Sequence, residues 1–324
     1  MMERKLAILA VAVAVVSCGQ RKDSAFHPRP FPQVSVPAMV TDPAEAASYY
    51  AEHFWDGFTD TSRLYFCDSA IVNGVRTADV EQAYANYLAF LDMVDLDEAV
   101  KSVGNLFAQV SAVEKKDTSS NVFEEITRLT QLYLYDPNSP YRNEDLYLPF
   151  VSGLSRSRFV PESSKTAYGY DARMCSLNRV GTRAADFVFS DKDGKSYSLY
   201  GIEAEYTILF FSNPGCAACK EIIDALNADE RVRKSISDGT LAVLNIYIDE
   251  DLAGWYKYMP VYPDDWYNGY DPNLVIRNDV LYNVRAIPSL YLLDRDKVVM
   301  MKDAPQEKLF YWLDRQGSDN GEKQ

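Results

Sequence analysis

Two cysteines separated by two alanines constrain this chain more than any other feature of its sequence. Cys216 and Cys219 follow a strand-like apolar run, residues 206–211, and precede a helix-like segment, residues 221–236. The order predicts that both thiols lie where a strand turns into the first turn of a helix. The free N–H groups and positive dipole end of a helix start favour the thiolate form of cysteine. We therefore expect Cys216 to be a nucleophile and Cys219 to be the resolving thiol that releases a mixed disulfide.

A single Cys-x-x-Cys motif also occurs in zinc sites and in structural disulfides. A zinc site needs a second pair of ligands at similar spacing, and Cys18, Cys67 and Cys175 form no such pair. The chain contains only 2 histidines, so we expect no metal site, and we expect no cofactor. An inert local disulfide stays open as the alternative interpretation of the motif.

A second feature lies downstream, where a strand is entered through Pro288 and is followed by a turn over residues 294–296. Upstream of the cysteines, residues 181–189 are typical of a strand, and residues 191–195 are typical of a tight turn. Strands therefore lie on both sides of the Cys-x-x-Cys motif along the chain.

This order of elements resembles the thioredoxin-like fold of the TlpA/ResA group of membrane-tethered thiol–disulfide oxidoreductases. The matching parts are a Gly-x-x-Ala-x-Asp-Phe opening at residues 181–187, the strand leading to Cys216-Ala217-Ala218-Cys219, and Ala286-Ile287-Pro288-Ser289. The resemblance covers residues 178–316. It implies an α/β domain of the thioredoxin-like class, built around a central mixed sheet.

The same resemblance implies roles for the residues around Pro288. In that family the proline is cis and faces the cysteines, so Pro288 would form the wall opposite Cys216 and orient the substrate. The backbone of Ile287 would pair with an incoming substrate strand, and Gly215 is a further candidate substrate contact. An ordinary proline at a strand entry is the alternative interpretation.

The motif also departs from thioredoxin. Gly215 stands where thioredoxin has tryptophan, and Phe210 stands where it has a buried acid. Proton transfer would then need another group, for which Glu203, Glu205 and water are the candidates. The two alanines of the motif offer no cationic partner to a thiolate, which favours a reducing pair, because strong oxidants are those whose thiolate form is stabilised.

The N-terminus has the pattern of a lipoprotein signal peptide, predicted over residues 1–17. A short positive region precedes an unbroken apolar run over residues 6–16, which is shorter than the roughly 20 residues of a spanning helix. The run ends in Val15-Val16-Ser17-Cys18, which resembles the bacterial lipobox. The resemblance implies lipidation at Cys18 and a location in the cell envelope, on the periplasmic side of a membrane. An ordinary secretory signal with an incidental cysteine is the alternative.

The N-terminal half beyond the signal predicts a tether and a helical domain. Residues 18–40 are rich in proline and predict an extended tether. From residue 41 to residue 160 apolar residues recur at helical spacing, which predicts an all-helical domain. Residues 161–177 are predicted to be a linker, and residues 317–324 a polar tail. The helical domain resembles the uncharacterised helical domains that precede thioredoxin-like domains in bacterial lipoproteins, and it shows no catalytic motif.

Cys67 and Cys175 are the remaining cysteines of the folded part. In an oxidising compartment we expect them to form a structural disulfide, which would close a long loop and connect the two domains. Two separate buried thiols are the alternative, because unpaired cysteine packs well in protein cores.

Charge and motif together limit the function. The formal net charge of −14 disfavours nucleic acid and anionic membrane surfaces as partners. The leading hypothesis is an enzyme that reduces protein or peptide disulfides and receives electrons from a membrane-associated donor. A peroxidase is disfavoured, because Asn213 and Leu209 replace the hydroxyl residue and the proline that peroxiredoxins need. The non-enzymatic alternative is a binding lipoprotein whose helical domain recognises a partner while the Cys-x-x-Cys pair is structural.

Overall fold

The computed structural model describes residues 26–319 of the chain. Within these residues a helical domain precedes an α/β domain that contains a seven-stranded mixed sheet. This architecture confirms the predicted fold class. The predicted signal peptide and Cys18 lie outside the described residues. No helix of the described part is long and apolar enough to cross a membrane.

The helical domain contains six α-helices and one short hairpin within the described residues. In chain order the elements are α1 (Pro43–His53), β1 (Ile71–Val72), β2 (Val75–Arg76), α2 (Thr77–Leu91), α3 (Leu96–Lys116), α4 (Val122–Thr130), α5 (Glu144–Arg156) and α6 (Glu162–Cys175). A π-helical turn, Gln131–Tyr135, continues α4. Asp42 caps α1 by accepting the amide hydrogen of Ala44 at 2.8 Å, which satisfies one of the free donors of the first turn.

Large aromatic side chains fill the core of this domain. Trp55, Tyr84 and Tyr87 are almost completely buried. The hydroxyls of the two tyrosines find partners within the core, because Tyr84 donates to the Thr130 hydroxyl at 2.9 Å and the Tyr87 and Ser102 hydroxyls lie 2.7 Å apart. Burial raises the pKa of both phenols. These hydrogen bonds fix how α2 packs on α3 and α4.

The structure corrects the predicted linker. Residues 161–177 contain α6, which packs against α5. The helix has few apolar residues, and only a narrow side of it, with Tyr168, Ala172 and Cys175, faces the helical core. These positions have the spacing of one helix face. Their small number explains why the segment was wrongly predicted as a linker.

The described part of the predicted tether is also corrected. Phe31 stacks on Phe58 with ring centroids 5.3 Å apart and meets Trp55 edge-on. The backbone N–H of Arg29 donates to the Gly74 carbonyl at 2.8 Å. Residues 26–40 therefore lie against the helical domain, because apolar side chains between the prolines anchor the segment there.

The α/β domain follows the order of a thioredoxin-like fold. Its elements are β3 (Val188–Ser190), β4 (Ser196–Ser198), β5 (Tyr206–Phe211), α7 (Ala217–Ala228), α8 (Glu230–Ser237), β6 (Leu241–Tyr247), α9 (Leu252–Tyr258), β7 (Tyr267–Tyr270), α10 (Val275–Asn278), β8 (Ser289–Leu293), β9 (Val299–Met301) and α11 (Gln306–Asp319). The last helix continues to Asp319, so it enters the stretch that was predicted as a polar tail.

The strand order in the sheet is β4-β3-β7-β6-β5-β8-β9. Strand β5 is an interior strand that pairs in parallel with β6 and antiparallel with β8. Its side chains alternate, so that Ile208 and Phe210 join the core under α7 while Leu209 and Phe211 join the core on the opposite face. Apolar residues along nearly the whole strand therefore mark a strand that is covered on both faces.

Candidate active site

A tight turn carries the chain from β5 to the Cys-x-x-Cys motif. The Cys216 N–H donates to the Asn213 carbonyl at 3.2 Å, with Pro214 and Gly215 between them. Gly215 has φ +77, which the third residue of a type II turn requires and which glycine adopts without strain. The sequence Asn-Pro-Gly-Cys thus folds locally into the turn that delivers Cys216 to the helix.

Cys216 is the N-cap of α7. Its sulfur accepts the Cys219 N–H at 3.1 Å, as the side chain of a capping residue does. The position confirms the predicted strand-to-helix placement of the motif. A thiolate at Cys216 would lie at the positive end of the helix dipole and would accept a backbone hydrogen bond there.

Cys216 and Cys219 form a disulfide, with Cα atoms 5.2 Å apart. The two residues differ in exposure, because Cys216 is half-buried whereas Cys219 is 1% exposed. Only the first sulfur can be reached by a bulky partner. This asymmetry is the arrangement that an attacking and a resolving thiol need.

The charges nearest to the motif are few. Ala217 and Ala218 are exposed and carry no charge. Lys220, the nearest cation along the chain, lies 2.5 Å from Asp224 in an exposed ion pair. Along the chain, the helix start is therefore the nearest source of positive potential to Cys216.

The peptide bond between Ile287 and Pro288 is cis, as the family resemblance implies. Strand β8 begins directly after it, and Ser289 pairs with Phe211 at the end of β5. Ile287 and Cys216 both pack against the apolar cluster that contains Cys219. The structure thus brings Pro288 to the same edge of the sheet as the two cysteines, although their roles in catalysis stay predictions, as do the substrate contacts of Ile287 and Gly215.

Two predicted proton-transfer groups lie in the wrong place. Glu203 and Glu205 come before β5, whereas the cysteines follow it. A strand of six residues is about 20 Å long, so these carboxylates lie at the opposite end of the sheet. They line an open cleft there together with Asp238 and Arg295.

The polar groups at the motif end of the sheet were missed by sequence reasoning. Ser212 and Asn245 are each 1% exposed, and the Ser212 hydroxyl lies 2.5 Å from the Asn245 amide oxygen. The carboxylate of Asp249 accepts the Asn213 side-chain amide at 2.7 Å and is paired with Arg277 at the same distance. These residues come from three separate segments, so no local pattern could have assembled them.

Hydrogen bonds, one of them between the two domains, also hold the segment around Pro288 in place at this edge of the sheet. Arg285 lies 3.0 Å from Glu144 of α5, and the Ser289 hydroxyl donates to Asp303 at 2.7 Å. The two loop residues flank the Ile287–Pro288 bond. Ser289 belongs to the motif that carries the family resemblance, but the sequence did not indicate its contact with Asp303. The contact of Glu144 with Arg285 was also missed, because these two residues are 141 positions apart.

The predicted disulfide between Cys67 and Cys175 is absent, and both thiols are free. Cys67 lies in the loop before β1, and its thiol donates to the Tyr65 carbonyl at 3.8 Å. Cys175 ends α6 at the domain interface, where its carbonyl accepts Lys302 at 2.7 Å, and its side chain is completely buried. The two cysteines therefore belong to different parts of the helical domain. Burial raises the pKa of the Cys175 thiol.

Within residues 26–319 there is no group of three or more histidine, cysteine, aspartate or glutamate side chains that could hold a metal ion. No curated protein matches the chain.

Solved structures do match. The crystal structure of a thioredoxin-like protein from Bacteroides caccae is 33% identical, with a TM-score of 0.76, and the match covers 89% of this chain and 99% of that chain. The C-terminal domain of an uncharacterized protein from Bacteroides fragilis is 46% identical over 42% of this chain and 97% of its own, with a TM-score of 0.41. The thioredoxin domain of a thiol-disulfide oxidoreductase from Bacteroides vulgatus is 18% identical over 42% of this chain and 96% of its own, with a TM-score of 0.37.

A family model also covers the N-terminal half. The model described as "Domain of unknown function (DUF5106)" matches residues 10–178, which is more than half of the chain. The match includes all six helices that the structure describes before the α/β domain. With the Bacteroides caccae structure aligned over both domains, the chain belongs to the thioredoxin-like proteins that carry an N-terminal DUF5106 domain.

Proposed function

We propose that the protein is a membrane-tethered, periplasmic thiol–disulfide oxidoreductase that reduces disulfides of proteins or peptides. The observation that carries this proposal is the asymmetric pair at the start of α7. Cys216 is reachable and caps the helix, while Cys219 is buried behind it. The position of the Pro288 segment supports it further, because Ile287 and Cys216 pack against the same apolar cluster.

The reaction uses only these two thiols and the substrate. The Cys216 thiolate attacks one sulfur of the substrate disulfide, whose second sulfur leaves as a thiolate and takes up a proton. The Cys219 thiol then loses its proton and attacks the Cys216 sulfur, which releases the first substrate sulfur. The substrate gains two electrons from the two thiols and two protons, one from Cys219 and one from the solvent, and the Cys216–Cys219 disulfide forms.

The environment of the motif supports the reducing direction. No cation stands between the cysteines, and Lys220 is held by Asp224. A thiolate with little extra stabilisation favours a reducing pair. Each cycle leaves the pair oxidised, so a membrane-associated dithiol protein would have to return two electrons to it.

The tether is a separate part of the proposal, and it is supported by the sequence Val15-Val16-Ser17-Cys18 alone. Replacement of Cys18 by alanine should release the protein from the membrane fraction and abolish labelling by a radioactive fatty acid. The matched control is Cys67→Ala, which removes another free thiol and should leave both unchanged. Continued fatty-acid labelling of the Cys18→Ala protein would contradict the lipid anchor.

The deciding test is the redox behaviour of the motif. The chain without its first 18 residues is equilibrated against dithiothreitol or glutathione buffers, and the state of each cysteine is determined by alkylation and mass spectrometry. A reversible Cys216–Cys219 couple near the thioredoxin value of about −270 mV is expected. A bond that resists reduction in the folded protein would instead favour the binding lipoprotein with a structural disulfide.

A further inference from the structure

The segment that carries the cis proline, residues 283–289, is called the Pro288 loop here. From its contacts with the helical domain, we propose that Glu144 and Asp303 are positioning residues, through which the helical domain holds the Pro288 loop in the conformation that receives a substrate disulfide. The proposal rests on the oxidoreductase function and assigns a part in it to the DUF5106 domain.

Glu144 is the first contact. It is the first residue of α5 and only 2% exposed. One carboxylate oxygen accepts the Asn283 amide at 2.5 Å and the Arg285 guanidinium at 3.0 Å, and the other lies 2.8 Å from the Lys302 ammonium. All three partners belong to the α/β domain, and two belong to the Pro288 loop. A buried carboxylate with two donors on one oxygen and an ammonium beside the other has little freedom to move.

Arg285 extends this contact into the helical domain. Its guanidinium lies 4.1 Å from the centre of the Tyr135 ring, and it also donates to the Tyr135 carbonyl. Tyr135 ends the π-helical turn Gln131–Tyr135. Such turns are rare in proteins, and those that occur are frequently found at functional sites. The planar guanidinium therefore fits between a carboxylate, a ring and a carbonyl, which a lysine at this position could not reproduce.

Asp303 holds the other end of the loop. It is 6% exposed and accepts the hydroxyl of the fully buried Ser289 at 2.7 Å. Its carboxylate lies 3.5 Å from Arg142, and the same guanidinium donates to the Asp303 carbonyl at 3.0 Å. Burial raises the pKa of Asp303, and the charge of Arg142 acts against this effect. The helical-domain cation thus helps to keep the acceptor of Ser289 ionised.

These contacts leave the substrate side of the loop open. Ala286 is exposed, and Ile287 and Pro288 are half-buried, whereas their flanking contacts are buried. A loop that is already ordered loses less conformational entropy when a substrate strand pairs with it. Weakening the contacts should therefore reduce the apparent affinity for an extended substrate more than the reactivity of Cys216.

The chain offers a matched control in the next residue. Asp145 is also buried, at 1% exposed, and it also joins the domains, because its carboxylate accepts Arg179 at 3.2 Å and the Val180 N–H at 3.3 Å. Its partners lie outside the Pro288 loop. Asp145→Asn thus weakens the domain interface in the same way as Glu144→Gln, but without releasing the loop.

The experiment uses pre-reduced mature protein in single-turnover reactions with two disulfides. A fluorogenic peptide disulfide must dock along the loop, whereas the small aromatic disulfide of Ellman's reagent needs only access to Cys216. Glu144→Gln should raise the half-saturating concentration of the peptide on the order of tenfold, while the rate with Ellman's reagent and the redox potential stay unchanged. Asp145→Asn should leave the half-saturating concentration within about twofold of the wild type.

Equal effects of the two substitutions on peptide binding would overturn the proposal. If Glu144→Gln does not fold, Ser289→Ala decides instead, because it removes one hydrogen bond on the other side of the loop. It should raise the half-saturating concentration several-fold, and Ser289→Thr, which keeps the hydroxyl, should restore it; an unchanged value for Ser289→Ala would overturn the proposal. If the proposed oxidoreductase function itself is wrong, the result is different, because the wild-type protein would then reduce neither the peptide disulfide nor Ellman's reagent.

Discussion

The described part of the chain contains two cysteines in the Cys-x-x-Cys motif and two free cysteines outside it, and the surroundings of the two sets differ. Cys216 starts a helix at an open edge of the sheet, with Cys219 one turn further on. Cys175 ends a helix in the buried domain interface, and Cys67 lies in a loop. A helix N-terminus favours a thiolate, whereas a C-terminus and burial oppose it. The comparison shows that position relative to a helix, rather than the number of cysteines, indicates which thiols can react.

The strongest test of this difference removes the exposed thiol of the motif. Cys216→Ser should reduce disulfide exchange to the uncatalysed rate, because serine does not form the attacking thiolate at neutral pH. Single-turnover exchange with a fluorogenic peptide disulfide measures the effect. Cys67→Ser is the matched control and should react like the wild type. Exchange that survives Cys216→Ser but is lost in Cys219→Ser would reverse the assigned roles.

The second test separates attack from resolution. In Cys219→Ser the Cys216 thiolate can still form a mixed disulfide, but no thiol follows to release it. A covalent adduct of one peptide per protein should accumulate, and non-reducing mass spectrometry should locate it on Cys216. Rapid release of both peptide thiols from this variant would show that another group resolves the intermediate.

The third test compares the two unpaired cysteines by their effect on stability. Cys175→Ser places a hydroxyl in a completely buried site, which should lower the free energy of unfolding by about 1–3 kcal/mol. Cys67→Ser changes a half-buried loop position and should stay within about 0.5 kcal/mol. Chemical denaturation measures both. Similar losses for the two variants would mean that burial does not distinguish them.

The fourth test uses pH. Because burial raises the pKa of Cys175, the folded protein keeps this proton at a pH where the unfolded chain, with a thiol pKa of about 8.5, releases it. The folded state then binds more protons, so the free energy of unfolding should fall as pH rises above about 8.5, by up to about 1.4 kcal/mol per pH unit. Cys175→Ala, compared across the same pH series, should lack this contribution. Parallel curves for the two proteins would contradict it.

The features that sequence reasoning predicted correctly are local ones. The apolar run of β5, the Asn-Pro-Gly turn and the helix after it lie within consecutive residues, so the placement of Cys216 could be inferred directly. The cis peptide at Pro288 was implied by the family resemblance. The position of Glu203 and Glu205 was also local information, because both precede β5, and this order already excluded them from the motif end of the sheet.

The features that were missed depend on weak or distant signals. Helix α6 buries only a narrow side, so its few apolar residues resembled a linker. The segment around Phe31 was predicted as a tether, because its prolines are typical of an extended linker. The sequence does not indicate that Phe31 packs on Phe58. The expected Cys67–Cys175 disulfide came from counting cysteines, and counting says nothing about where each side chain lies.

The sequence by itself determined the fold class and the place of the Cys-x-x-Cys pair on a helix start, because these follow from patterns within short stretches of chain. Only the tertiary structure decided which cysteine is reachable, which thiols stay unpaired, and that Glu144 meets Arg285 beside the cis proline. Such contacts join residues far apart in the chain. They exist because two independently patterned domains pack together, and no short-range periodicity records how they do so.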